Sequence, residues 1–195
     1  GKYEPIMTSP KTPTPQRLLT DCHDLGGLLQ DMDAGPILLV ADSIGYGASG
    51  ASTILGPILR DRQAGRFDVN EPNPQWPGVL DCVGAIRKAS PGAVLAVGGG
   101  TTMDGAKLSN WLATQSTDPE DILESPPEQP VPAPPMIAIP TTAGSGSEAT
   151  QFAVVYRDGE KHSVAHPSLR PTAAIVDPAL TASLPPDLTA TVVPK

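Results

Sequence analysis

Aromatic residues and positive charge are both scarce in this chain. Of 195 residues, two are Phe, two Trp and three Tyr, and 13 Lys and Arg stand against 21 Asp and Glu, a net charge of −8. With no basic run, the chain lacks the electrostatic footprint of a nucleic-acid binder. No apolar stretch approaches the length of a membrane span, and the start Gly1-Lys2-Tyr3-Glu4-Pro5 carries no apolar signal core. The expectation is therefore a soluble, cytoplasmic protein with no membrane partner. Cysteine is equally sparse: Cys22 and Cys82 lack metal or redox spacing and read as buried free thiols. Proline and glycine, at 24 and 19, are what the chain has in quantity. Its length suits one domain with a real core, or one domain plus a fragment.

The hydrophobic pattern alternates between short apolar runs and helical periodicity. Residues 18–29 read as a modest helix interrupted by Gly26-Gly27, and Pro36-Ile37-Leu38-Leu39-Val40-Ala41 as a strand covered on both faces. Helices are predicted over 52–62 and 75–89, the latter turning Val79, Cys82, Val83 and Ile86 inward, with a short strand at 66–69 between them. Another strand, 93–97, and a further helix follow. Such a βαβαβ order predicts an α/β fold, a parallel sheet with helices on both faces. Between Asp118 and Pro135 seven prolines forbid a continuous helix, so a surface loop with one helical turn near Glu120 is expected. Phe152-Ala153-Val154-Val155-Tyr156 and the turn Arg157-Asp158-Gly159-Glu160 read as an added β-hairpin.

The most telling segment is Gly98-Gly99-Gly100-Thr101-Thr102-Met103-Asp104-Gly105-Ala106-Lys107, directly after the strand at 93–97. Glycines there let a ligand approach the backbone, and the helix behind them offers unpaired N–H groups and a positive dipole end suited to a phosphate. Thr101 is expected to cap the helix, with Asp104 reaching back to it. The plainer alternative is an ordinary strand-to-helix turn. A second strand runs into a similar loop, Ile139-Pro140-Thr141-Thr142-Ala143-Gly144-Ser145-Gly146-Ser147-Glu148. Two such loops can converge beyond the carboxyl ends of parallel strands, where these folds bind ligands. Asp42, just past its strand, can accept hydrogen bonds from adenosine ribose hydroxyls and repel a 2′-phosphate, or can simply cap the turn at Ser43.

As a block these segments resemble the signatures of the iron-containing (group III) alcohol dehydrogenases. GGGTTMDGAK is similar to the family's GGGSxxDxAK, and IPTTAGSGSEAT to its second signature. Pro72-Asn73-Pro74 and Ala174-Ile175-Val176-Asp177-Pro178-Ala179-Leu180-Thr181 lie in the matching order. The run 152–167 looks closest to the branch reducing phosphonoacetaldehyde and similar small aldehydes. The resemblance implies the Rossmann-like N-terminal domain of the dehydroquinate synthase-like fold. It further implies NAD, with NADP the alternative, bound by Asp42, Asn73, Gly98, Gly99, Gly100, Thr101, Asp104, Thr141, Thr142 and Ser147. Asp104, Lys161 and His162 are candidates for a substrate-side role, the last two for holding an anionic group. Each also has a plainer reading, as a cap, a loop hydroxyl or a solvated face.

The family's metal, Fe²⁺ or Zn²⁺, is held by an aspartate and three histidines from a helical C-terminal domain. No part of this sequence matches those ligands, and His162 and His166 do not stand at their positions, so no metal residue is assigned. The expected division is a dinucleotide-binding domain over 1–186 and a stub over 187–195. What the resemblance implies is the cofactor half of an alcohol dehydrogenase or aldehyde reductase, with little turnover alone. It would associate as a homodimer or with a separate C-terminal domain. The face toward that domain is expected to expose apolar residues near Ile139, Phe152 and Leu184. Two other readings stand beside this one. The first is a non-enzymatic NAD-binding or interaction module, distinguished by whether a C-terminal partner restores activity. The second is a 3-dehydroquinate synthase or glycerol-1-phosphate dehydrogenase relative, which the Thr141–Glu148 block argues against.

Overall fold

A computed structural model describes residues 15–182. Among these, six strands form one parallel sheet in the order β1-β8-β5-β4-β2-β3. They are β1 (Arg17–Leu19), β2 (Ile37–Asp42), β3 (Gln63–Val69), β4 (Ala93–Gly98), β5 (Met136–Pro140) and β8 (Ala173–Ile175). β6 (Phe152–Arg157) and β7 (Glu160–Ala165) form a separate antiparallel pair. The helices are α1 (Leu25–Asp31), α2 (Gly45–Ala48), α3 (Ala51–Leu59), α4 (Trp76–Ala89), α5 (Gly100–Thr114), α6 (Pro119–Glu124) and α7 (Pro178–Thr181).

The near-continuous apolar strands follow from burial on both faces. One rung, Leu39 opposite Leu95 opposite Ile137, joins a core with Leu25, Leu28 and Leu29 of α1 and Leu55 and Leu59 of α3. Their strand neighbours Leu38, Val40, Val94, Ala96 and Ala138 face the other way, onto Cys82 and Ile86 of α4 and Met103 and Ala106 of α5. Val79 and Val83 of α4 are buried as predicted, in a third cluster under the hairpin with Trp111, Ala153, Val155 and Val164. At the amino ends of β2 and β4 the backbones nearly touch: a Cβ on Gly92 would lie 2.6 Å from the amide nitrogen of Gly35.

The helix predicted over 18–29 is corrected. Leu18 and Leu19 pair instead with Ala174 and Ile175, and the helix begins only after a 3₁₀ turn at Cys22–Asp24, capped by Asp21 through the His23 amide at 2.8 Å. Pairing with a distant strand overrides local propensity in so short a segment. β3 starts at Gln63, so the helix over 52–62 closes earlier, at Leu59. The expected apolar face is also partly corrected. Ile139 is fully buried inside the sheet, whereas Phe152 is 55% exposed; Leu184 and the 186/187 boundary lie outside the described residues. Cys22 and Cys82 are buried and free.

The hairpin turn is as read: Asp158 and Gly159 both take positive φ, 54° and 82°, the two-residue turn that matches strand twist. The proline-rich segment is an irregular strap carrying α6. It is pinned at Val131, whose amide and carbonyl both bond the Gln115 side chain at 2.9 and 2.8 Å, and at Pro134, whose carbonyl accepts from Asn110 Nδ2 at 2.8 Å.

Candidate functional site: two glycine loops and a proline-bracketed asparagine

β2 continues to β3 on one side, and the chain then returns to place β4 on the other side of β2. The crevice beyond the carboxyl ends of β2 and β4 is thus the switch point at which open α/β sheets bind ligands. Asp42 ends β2 and Gly98 ends β4.

The two glycine loops meet there in direct contact. The Thr141 amide donates to the Gly98 carbonyl at 2.9 Å, a Cβ on Gly99 would lie 3.0 Å from the Thr142 hydroxyl, and one on Gly100 3.1 Å from the Ser145 Cβ. A Cβ on Gly98 would lie 2.5 Å from the Thr102 hydroxyl, so glycine is needed to let the chain enter the helix. α5 starts at Gly100 with Gly99 at its N-cap and no side-chain cap. The amides of Gly100, Thr101 and Thr102 therefore have no acceptor within the helix, and the dipole's positive end is uncovered.

The expected capping box is a correction. Thr101 lies inside the first turn, and its hydroxyl donates to the Pro72 carbonyl at 2.9 Å, tying α5 to the Pro72-Asn73-Pro74 loop. The Pro74 carbonyl accepts from the Tyr156 amide at 2.8 Å. Asn73, held between these two anchors, is exposed, and its side chain has no hydrogen bond among the described residues. Asp42 accepts the Ile44 and Gly45 amides on Oδ1 at 2.9 and 2.7 Å. That fixes the carboxylate and leaves Oδ2 without a protein partner among the described residues. The turn-capping and ligand-facing readings are thus compatible.

Asp104 neither caps the helix nor faces solvent. One oxygen accepts from the Ser147 hydroxyl and lies 3.4 Å from Lys107 Nζ; the other accepts the Val154 amide at 2.9 Å. Ser147 is thereby committed to Asp104. Lys107, though a lysine, has a fully buried side chain. Its ammonium donates to the carbonyls of Ser147 (3.0 Å), Thr150 (3.4 Å) and Phe152, and to the Thr150 hydroxyl (3.3 Å). Burial pushes its pKa below the ordinary lysine value, while Asp104 and Glu148 oppose the shift. These two residues of α5 pin the second glycine loop and the start of β6. Lys107 and Ser145 were missed as loop-shaping groups. The signal for Lys107 was its place at helical spacing beside the apolar Met103, Ala106 and Trp111.

Lys161 and His162 do not converge. Neighbours on a strand face opposite sides, and His162 pairs with the buried Val155 on the inner side, whereas Lys161 pairs with Tyr156 on the outer. His166 stacks on Trp111, with centroids 4.7 Å apart, and its Nδ1 accepts the Ser168 amide; burial lowers its pKa. Among the described residues no group of three or more His, Cys, Asp or Glu could hold a metal ion. No helix among them is long and apolar enough to cross a membrane.

This architecture matches known proteins. Residues 17–178 match the iron-containing alcohol dehydrogenase family. The chain belongs to that family. It is similar to the probable alcohol dehydrogenase EutG of Salmonella typhimurium, 40% identical over 116 residues, 57% of this chain and 29% of that protein. It is also similar to choline dehydrogenase of Bacillus subtilis, 34% identical over 161 residues, 78% of this chain and 39% of that protein. Among solved structures, sulfoacetaldehyde reductase from Bifidobacterium kashiwanohense in complex with NAD⁺ superposes with a TM-score of 0.82 at 29% identity. That match covers 93% of this chain and 49% of the other. The chain thus spans under a third of EutG and about half of the sulfoacetaldehyde reductase structure it overlays.

Proposed function

We propose that this chain forms the cofactor-binding part of an NAD-dependent alcohol dehydrogenase or aldehyde reductase acting on a small alcohol or aldehyde. A phosphonoacetaldehyde-like substrate falls within that class. The observation that carries the reading is the meeting of the Gly98–Gly100 turn with the Thr141–Ser147 loop at the β2/β4 switch point, beside Asp42. Bound there, the dinucleotide supplies or accepts a hydride at its nicotinamide. The amides opening α5 hold its diphosphate, Asp42 Oδ2 takes the adenosine ribose hydroxyls and disfavours a 2′-phosphate, and Asn73 reaches a ribose or phosphate oxygen. Thr141 and Thr142 close the second wall.

The described residues do not fit the family's metal, so no step is assigned to one. Turnover belongs to an assembly containing the remaining length of the relatives, and the chain alone is expected to bind cofactor without turning substrate over. Among the described residues β1 is an edge strand with Leu18 68% exposed, which supports association of two copies.

Calorimetric titration with NAD⁺ and NADP⁺ tests the reading. Saturable binding with NAD⁺ preferred is expected, and Asp42→Ala should erode that preference by about tenfold, the worth of a charge-assisted hydrogen bond. Binding of neither nucleotide overturns the proposal.

A further inference from the structure

A threonine hydroxyl carries a single proton. In Thr101 that proton is committed to the Pro72 carbonyl at 2.9 Å, 29 residues away in the chain. A helical threonine can turn its hydroxyl onto nearby backbone of its own helix; this one reaches a different loop. While it donates to Pro72 it cannot donate to a phosphate oxygen, so the donor that Thr101 offers an anion directly is its amide.

The carbonyl it holds belongs to a segment with little freedom of its own. Prolines fix φ at 72 and 74, and the residues that precede them, Glu71 and Asn73, are confined to extended backbone. Neither proline has an N–H, so the segment is tied down through its carbonyls. Both proline carbonyls are taken, Pro72 by Thr101 and Pro74 by the Tyr156 amide at 2.8 Å. Pro74 is buried, and Gln75 beside it bridges to Tyr156. β6 thus anchors one end of the segment and α5 the other.

Between the anchors stands Asn73, exposed and with no side-chain hydrogen bond among the described residues. With Thr101 it lines a cavity of about 180 Å³ beside the carboxyl end of β3, α4 and α5. β3 flanks the Asp42 strand: Val69 stands opposite Asp42, and its carbonyl accepts the Ser43 amide at 3.3 Å. Asn73 follows four residues later, on the segment bonded to the first turn of α5.

We propose that Thr101 is a positioning residue whose hydroxyl acts on the cofactor through Asn73. It locks the Pro72-Asn73-Pro74 segment onto the same turn of α5 whose amides take the diphosphate. This rests on nicotinamide dinucleotide binding at the glycine loops. The nucleotide then meets an Asn73 already held at a fixed place relative to those amides, so the segment is ordered in folding and not at binding. Valine has the shape of threonine without the proton. In Thr101→Val the segment keeps its β6 anchor and loses the one on α5.

The test is calorimetric titration with NAD⁺ of the intact chain, Thr101→Val, Thr101→Ser, Asn73→Ala and the double variant Thr101→Val/Asn73→Ala. Amide hydrogen exchange at Tyr156 adds a readout that needs no nucleotide. Thr101→Val and Asn73→Ala should each bind about five- to tenfold more weakly, the worth of one hydrogen bond. Thr101→Ser keeps the proton and should stay within about twofold of the intact chain. Once Asn73 is gone the hydroxyl has nothing to act through, so the double variant should bind within about twofold of Asn73→Ala. Without nucleotide, Thr101→Val should speed exchange of the Tyr156 amide, because its acceptor then sits on a segment held at one end. The proposal is overturned, with the cofactor reading left standing, if Thr101→Val changes nothing or if it weakens binding equally with and without Asn73. It is equally overturned if Thr101→Ser fails to restore affinity or if Tyr156 exchange is unchanged. If the intact chain binds no nucleotide, the cofactor reading itself falls and takes the role of Thr101 with it.

Discussion

A lysine ammonium taken out of water is costly unless acceptors replace the lost hydration. Lys107 has four acceptors from the second loop and the start of β6, and a carboxylate beside them. Replacing it by methionine fills the space but strips those carbonyls and Asp104 of their partner at once. Lys107→Met should therefore destabilise the fold by about 3–5 kcal/mol in denaturant unfolding. The double variant Asp104→Asn/Lys107→Met should cost less than the sum of the two single changes, since both groups belong to one network. Cys82 gives a second expectation at this scale. Burial pushes its thiol from 9.0 up to about 11, so the folded state stays protonated where the unfolded chain already ionises. The stability this contributes is full below pH 9 and lost as pH rises toward 11. Between pH 9 and 10 the loss should be roughly 1 kcal/mol, and Cys82→Ala should flatten that slope in urea titrations. Of the site residues, the three glycines, Asp42 and Asn73 could be singled out from the sequence because each stands in a short local motif, at a strand end or between two prolines. The Asp104 cap was misjudged, and the burial of Lys107 and the bond from Ser147 to Asp104 were not foreseen, because the partners lie across the fold, on the second loop and β6.

Among the elements, the junction of β4 and α5 is the most exacting. The chain changes from strand to helix within two residues, and the Thr102 side chain occupies the space beside Gly98. Gly98→Ala should cost about 1–3 kcal/mol through overpacking, and should weaken nucleotide binding by shifting the first turn of α5; thermal melts and NAD⁺ titration would read both effects. The helix also starts at Gly100, before Thr101, because that hydroxyl is drawn to the Pro72 carbonyl and does not turn back on its own backbone. Arg87 of α4 closes the far end of α5, donating to the carbonyls of Ala113 and Gln115 at 3.0 and 3.2 Å. Long elements with strong periodicity, α4 and the central strands, were readable at once. β1 was not, because three residues are too few to display alternation, and only their pairing with Ala173–Ile175 makes them a strand.

At the scale of the whole molecule, the parallel sheet and its two-sided cover were legible from the order of elements alone. The strand order was not, because nothing local says that β8 inserts between β5 and β1. The glycine-loop end depends on β2, β4 and β5, so the β1 edge is energetically separable from it. A chain lacking residues 1–20 should melt earlier than the intact one yet keep its NAD⁺ affinity within about twofold.

The placement of β1 also orders events during synthesis. Leu18 has Ala174 as its sheet partner, and nearly the whole described chain lies between them. β1 must therefore wait, unpaired, until the chain has been made as far as β8. Closing so long a loop is slow, and the waiting strand is an open edge for another nascent copy. The assembly of this sheet is thus timed by translation: its central strands can pair as they emerge, and its margin is sewn on once β8 is out.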